Sequence, residues 1–102
     1  MTNVKNKYLL LLNEADNILL ATQNVPAGTV IEIDSLPLTL GFSLALGHKV
    51  ARRQIPAGAP VIKYGVPIGE ATQPITPGAH VHVHNLRSTY TATHILEVAP
   101  HE

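Results

Sequence analysis

The segment Ile55-Pro56-Ala57-Gly58-Ala59-Pro60-Val61-Ile62 restates Val25-Pro26-Ala27-Gly28-Thr29-Val30-Ile31 from thirty residues earlier. A looser third version, Ile75-Thr76-Pro77-Gly78-Ala79-His80-Val81-His82, follows twenty residues further on. In the first two, proline suits the first central position of a type I turn, and glycine takes the left-handed conformation that closes a three-residue hairpin. In the third, proline stands one place later and a type II turn with Gly78 is expected. The spacings are unequal, so the pattern is one recurring hairpin device, not a solenoid array.

Outward from these turns the chain reads as mainly β. Strands are expected at Lys7–Leu12, Ile18–Thr22, Val61–Tyr64 and Ser88–Val98; periodicity does not decide Leu36–Leu46, for which a short strand and then a helical turn is one reading. Eight prolines and seven glycines leave little room for a long helix. The sum is a compact barrel or clip of short strands joined by Pro-Gly turns. A chain of 102 residues makes one domain over 1–102, with a core at about 14–86, an extension over 88–102 and a fraying end from Ala99.

Seven basic and seven acidic residues balance, with no run of one sign. Nonspecific nucleic-acid binding, which needs a basic stripe, is therefore not expected. Only 14% of residues are charged, and a surface so low in charge suits a protein partner or a homo-oligomer. The absence of cysteine excludes disulfides and thiolate metal sites. The apolar run Tyr8–Leu12 is too short for a membrane span or a signal core, which makes the cytoplasm the default expectation.

The chemistry concentrates in Pro74–Asn85. His80, His82 and His84 alternate with Val81 and Val83, so a strand would put the imidazoles on one face and the valines on the other. Neighbouring histidines at i and i+2 lie about 6.5–7 Å apart and converge on one ion, whereas His80 and His84 lie roughly 13 Å apart unless the strand bends. The expectation is a metal held by His80, His82 and a ligand from elsewhere. Neutral imidazole suits zinc or iron. His84 and His48, which follows Gly47, are candidates for acid–base work. Lys49 and Lys63 are the expected anion contacts, Lys63 at a strand end where Gly65 permits close approach. Arg52 and Arg53, being adjacent, point opposite ways on a strand.

Four stretches together resemble a known family. They are Asp16-Asn17-Ile18 leading to Pro26-Ala27-Gly28; Gly47-His48-Lys49-Val50-Ala51; the run from Ile55 to Thr72 that contains Ile62-Lys63-Tyr64-Gly65; and Gly78-Ala79-His80-Val81-His82-Val83-His84-Asn85. The series is similar to the N-terminal SAF-type (β-clip) domain of altronate and galactarate dehydratases, which also occurs as the small subunit of a sulfolactate sulfo-lyase. The resemblance implies a SAF-type β-clip fold and a hydro-lyase that dehydrates a sugar acid. It implies an assisting divalent metal, with iron favoured and zinc or manganese as alternatives, and a large dehydratase subunit carrying the rest of the site, so that this chain is not active alone. It also places Tyr64 and Asn85 with Lys49 and Lys63 as substrate contacts. The motif departs at Ala51-Arg52-Arg53-Gln54, where the family commonly has an apolar residue, a charged one and an aspartate. The rival reading is a non-enzymatic SAF module that binds a sugar acid or a protein.

Overall fold

The computed structural model describes residues 8–88, and among them every regular element is a strand. Nine short strands follow one another: β1 (Leu9–Leu10), β2 (Ile18–Ala21), β3 (Val30–Ile33), β4 (Leu36–Thr39), β5 (Lys49–Ala51), β6 (Pro60–Lys63), β7 (Val66–Ala71), β8 (His80–Val81) and β9 (Leu86–Arg87). A central sheet has the order β1-β2-β5-β8, and β3-β4 and β6-β7-β9 form two smaller sheets, all antiparallel. The small β domain is as expected, but among the described residues it closes no barrel. Leu36–Leu46, which periodicity left open, begins as β4 and continues through bends without a helical turn. The last strand, expected over Ser88–Val98, lies outside the described residues apart from Ser88, which belongs to no strand.

The repeated turn turns out to be a unit of a duplicated architecture. Four copies occur, ending at Gly28, Gly47, Gly58 and Gly78, each with a φ between 82° and 91°. In each, the residue after the glycine donates its amide three residues back: Thr29 to Pro26, His48 to Ala45, Ala59 to Pro56 and Ala79 to Thr76. A positive φ confined to the second central residue makes all four type II turns. Pro26 and Pro56 therefore stand one place before the central pair, not within it as the sequence suggested. Pro77 occupies the favoured first central position. The fourth copy, Leu44-Ala45-Leu46-Gly47, contains no proline.

The copies face each other in pairs, through the bridges Val25–Leu44 and Ile55–Ile75. Each pair carries its own core. One gathers Leu19, Ala21, Val25, Ile31, Leu40, Leu44 and Val50. The other gathers Ile18, Ala51, Ile55, Val61, Ala71, Ile75 and Val81. All of these residues are buried. At roughly 1.5–3 kcal/mol for each large aliphatic side chain taken out of water, the two clusters dominate the favourable side of folding. The central sheet joins them, because adjacent residues of β2 and β5 point to opposite faces: Ile18 and Ala51 belong to one core, Leu19 and Val50 to the other.

Each half also carries a two-residue hairpin with positive φ at both central positions, the type I′ geometry that matches strand twist. These are Asp34-Ser35 between β3 and β4 (φ 50° and 73°) and Tyr64-Gly65 between β6 and β7 (φ 60° and 75°). The second is fastened by the loop before β2. The wholly buried Asp16 accepts the Tyr64 amide at 2.9 Å and the Gly65 amide at 2.8 Å through its two carboxylate oxygens. Asn17 bonds β6 through Pro60 O and the Ile62 amide.

Candidate functional site

Strand β8 is shorter than its alternation of histidine and valine suggests. It pairs with β5 only through Val81–Lys49 and His80–Val50, and the chain then turns over His82–Asn85. Asn85 makes that turn. Its side-chain nitrogen donates to His80 O at 2.8 Å, its side-chain oxygen accepts the His82 amide at 3.0 Å, and its own amide donates to His82 O at 3.0 Å. The backbone groups that would continue the ladder are satisfied locally instead. Val81 is wholly buried, whereas Val83, expected on the same face, is 79% exposed. Asn85 is 5% exposed, and both ends of its amide are engaged with the histidine backbone.

The turn gathers four imidazoles. Continuing the β5–β8 register by one residue sets His48 across from His82, beside the His80–Val50 pair. His48 Nδ1 lies 3.1 Å from His80 Nε2, so the two rings share a proton in one tautomeric arrangement. The rings of His48, His80 and His82 stack with centroids 5.0–5.3 Å apart. His84, brought back by the turn, lies tilted 5.7 Å from His80. Phe42 also stacks on His80, with ring centroids 5.3 Å apart. His48 and His80 are half-buried and His84 is exposed. Burial first, and then the charges of His48, His82, His84 and Lys49, hold His80 below the ordinary histidine value of 6.5. The neutral, ligand-competent form is thereby favoured near neutral pH.

One ligand atom from each of His48, His80 and His82 lies within 4.8 Å of the others. Two nitrogens bound at 2.0–2.1 Å to one ion stand about 2.8–3.4 Å apart across octahedral or tetrahedral angles. The His48–His80 separation is already of that order, and the donor set of three imidazoles fits a divalent transition metal. His48, expected as an acid–base group, thus stands where the sequence reading left room for a third ligand.

The other expected contacts lie elsewhere. Lys49 adjoins His48, but its cross-strand neighbours Leu20 and Val81 put it on the opposite face of β5, where it is buried. Lys63 and Tyr64 sit at the β6–β7 tip, fastened to Asp16. The histidine end of β2 is Ala21, whose amide bonds His48 O. Asp16 precedes β2, and the three residue steps from Ile18 to Ala21 span about 10 Å of strand. Lys63 and Tyr64 are thus fastened beside the start of β2, while His48 faces its other end. Arg52 is a structural cation, bonding Asp34 and the carbonyls of Glu14 and Asp16. Phe42 escaped the sequence reading, as did the proline-free turn that positions His48. The apolar-x-x-Gly spacing of Leu44–Gly47, shared with Val25–Gly28, Ile55–Gly58 and Ile75–Gly78, is the signal that finds that turn.

A small all-β module that presents a histidine cluster at one end of its central sheet is the class defined by this fold and site. The chain belongs to the family described as the altronate/galactarate dehydratase SAF domain, which it matches over residues 7–89. It is 43% identical over 77 residues to altronate dehydratase of Escherichia coli (strain K12), covering 76% of this chain and 16% of that protein. Against altronate dehydratase of Bacillus subtilis (strain 168) it is 30% identical over 94 residues, covering 92% and 19%. It is also 40% identical over 62 residues to the (2R)-sulfolactate sulfo-lyase subunit alpha of Chromohalobacter salexigens, covering 60% of this chain and 66% of that subunit. The chain spans less than a fifth of the length of these two dehydratases. No helix among the described residues is long and apolar enough to cross a membrane.

Proposed function

We propose that this chain is the histidine-bearing module of a hydro-lyase that dehydrates a sugar acid of the altronate type, and that a larger catalytic chain completes its site. The observation behind this reading is the convergence of His48, His80 and His82, backed by membership of the dehydratase SAF family and by the two altronate dehydratase relatives. A further relative, sulfolactate sulfo-lyase, has its matching segment in a subunit called alpha, which supports work alongside a second chain.

Loss of a β-hydroxyl from a hydroxy acid needs a base for the α-proton, stabilisation of the enolate-like charge and assistance to the departing hydroxide. His48, His80 and His82 would hold a divalent metal, iron first and zinc or manganese as alternatives, whose chemistry is to polarise a carboxylate or leaving oxygen. Around it the chain's own groups handle protons. His84, exposed on the turn and free of the three-histidine group, is placed to exchange a proton with substrate or water. Phe42, stacked on His80, shields that ring from water. Asn85, through the backbone of His80 and His82, fixes the spacing of the two rings that share β8 and its turn. Among the described residues the three-histidine group includes no carboxylate, and the larger chain would supply the negatively charged partners of the reaction.

The test is dehydration of altronate and of galactarate by the large chain with and without this one. The expected result is turnover that requires this chain and falls at least a hundredfold with His80→Ala. Full activity of the large chain alone would contradict the reading. Turnover and metal content unchanged in a His80→Ala, His82→Ala double variant would favour a binding module instead.

A further inference from the structure

The two type I′ hairpins are structural twins, and the first central residue of the second departs from what the turn favours. The first places Asp34 and Ser35 at positive φ, short polar residues that tolerate it. The second places Tyr64 there, at φ 60°, a bulky aromatic for which that conformation is a true outlier. A dedicated clamp holds it: both oxygens of the wholly buried Asp16 take the Tyr64 and Gly65 amides, and Asn13 lies against Gly65, 3.1 Å from where a β-carbon would stand. The product of this effort is a side chain that contributes nothing to the core. Tyr64 is 66% exposed, beside Val66, which is 56% exposed. Lys63 faces Val66 across the strand pair, so the two share a face next to the ring.

Strain held by surrounding structure is a mark of function, and a rigid exposed tyrosine is a common anchor of protein interfaces. We infer that the Lys63–Val66 tip is a preorganised docking element for the larger catalytic chain, inserting the Tyr64 ring into an apolar cleft rimmed by a carboxylate that meets Lys63. The inference rests on the proposed function for the identity of that partner. It is supported by the small share of the altronate dehydratases that this chain spans, since in those proteins the matching segment is joined to a far longer polypeptide. A hairpin tip reaches into a cleft; it does not enclose a small molecule, and it lies at the end of β2 away from the histidines. The partner is therefore held at one end of the central sheet while the imidazoles are presented at the other.

The test is a binding titration of the full chain, wild type and Tyr64→Asn, into the large dehydratase chain of the same genome, with the melting temperature of each. Asparagine accepts positive φ, so Tyr64→Asn is expected to melt at the same temperature or higher while binding at least tenfold more weakly. A lowered melting temperature with wild-type binding would make Tyr64 a structural residue and overturn the inference. Absence of wild-type binding, or Tyr64-dependent self-association in its place, would overturn it as well. Tyr64-dependent binding without dehydration of altronate or galactarate would leave the docking tip standing and remove the proposed function. Chain-dependent dehydration with wild-type binding by Tyr64→Asn would do the reverse.

Discussion

Asn85 shows how one side chain converts a strand into a site. By capturing His80 O and the His82 amide it stops β8 after two residues, and the turn it makes folds His84 back towards His80. Alternation along a straight strand keeps His80 and His84 too far apart to cooperate; the captured turn removes that restriction. His80, packed against Phe42 and three other imidazoles, has the pH signature that goes with this crowding. Its pKa is lowered from 6.5 in the folded chain, chiefly by burial, so below that value the unfolded chain binds more protons at this position than the folded one. The contribution of His80 to stability is thus intact above pH 6.5 and is lost as the pH falls from there through its lowered folded value. Urea unfolding of the metal-free chain from pH 8 to 5 should show stability declining in that window, with a shallower decline in His80→Asn. An equal decline in the variant would show that His80 is not the group responsible.

At the scale of elements, the Pro-Gly turns were legible because each residue in them answers a local constraint. Glycine takes the positive φ, and the apolar residue three places earlier enters a core. The turn type was less legible, because Pro26 and Pro56 fit either the position before the central pair or the first place within it, and only the hydrogen-bond partner decides. The turn ending at Gly47 went unread for want of proline, and with it the approach of His48 to His80 across a sequence separation of 32. That contact depends on β5–β8 register, which no local pattern encodes. The expected pair of strand histidines, by contrast, followed from sequence spacing, and His82 does stack on His80. Close approach between elements is equally invisible in sequence until a residue is changed. At Gly69, where β6 and β7 shift register, a β-carbon would stand 2.4 Å from Arg87 O, a backbone atom that cannot swing aside. Gly69→Ala should cost about 2–3 kcal/mol, read by urea unfolding, and detach β9 from β7. A cost below about 0.5 kcal/mol would mean that β9 is not held against β7 as described.

For the whole molecule, duplication explains why so small a chain holds a fixed shape with little charge and no disulfide. Two cores share one sheet, and each is closed by its own pair of facing turns. The histidines lie on the sheet face that serves the first core, but they are supplied from both halves, His48 from β5 and its turn, His80 and His82 from β8 and the turn after it. Neither half alone can form the site. A site of this kind requires His48 and the β8 histidines to act as one ligand set. The direct measurement is titration of the metal-free chain with iron(II), zinc(II) and manganese(II), following heat and bound metal, for wild type, His48→Ala and His82→Ala. One ion per wild-type chain, bound at least tenfold more weakly by both variants, is the predicted result. Wild-type binding retained by His48→Ala would contradict it.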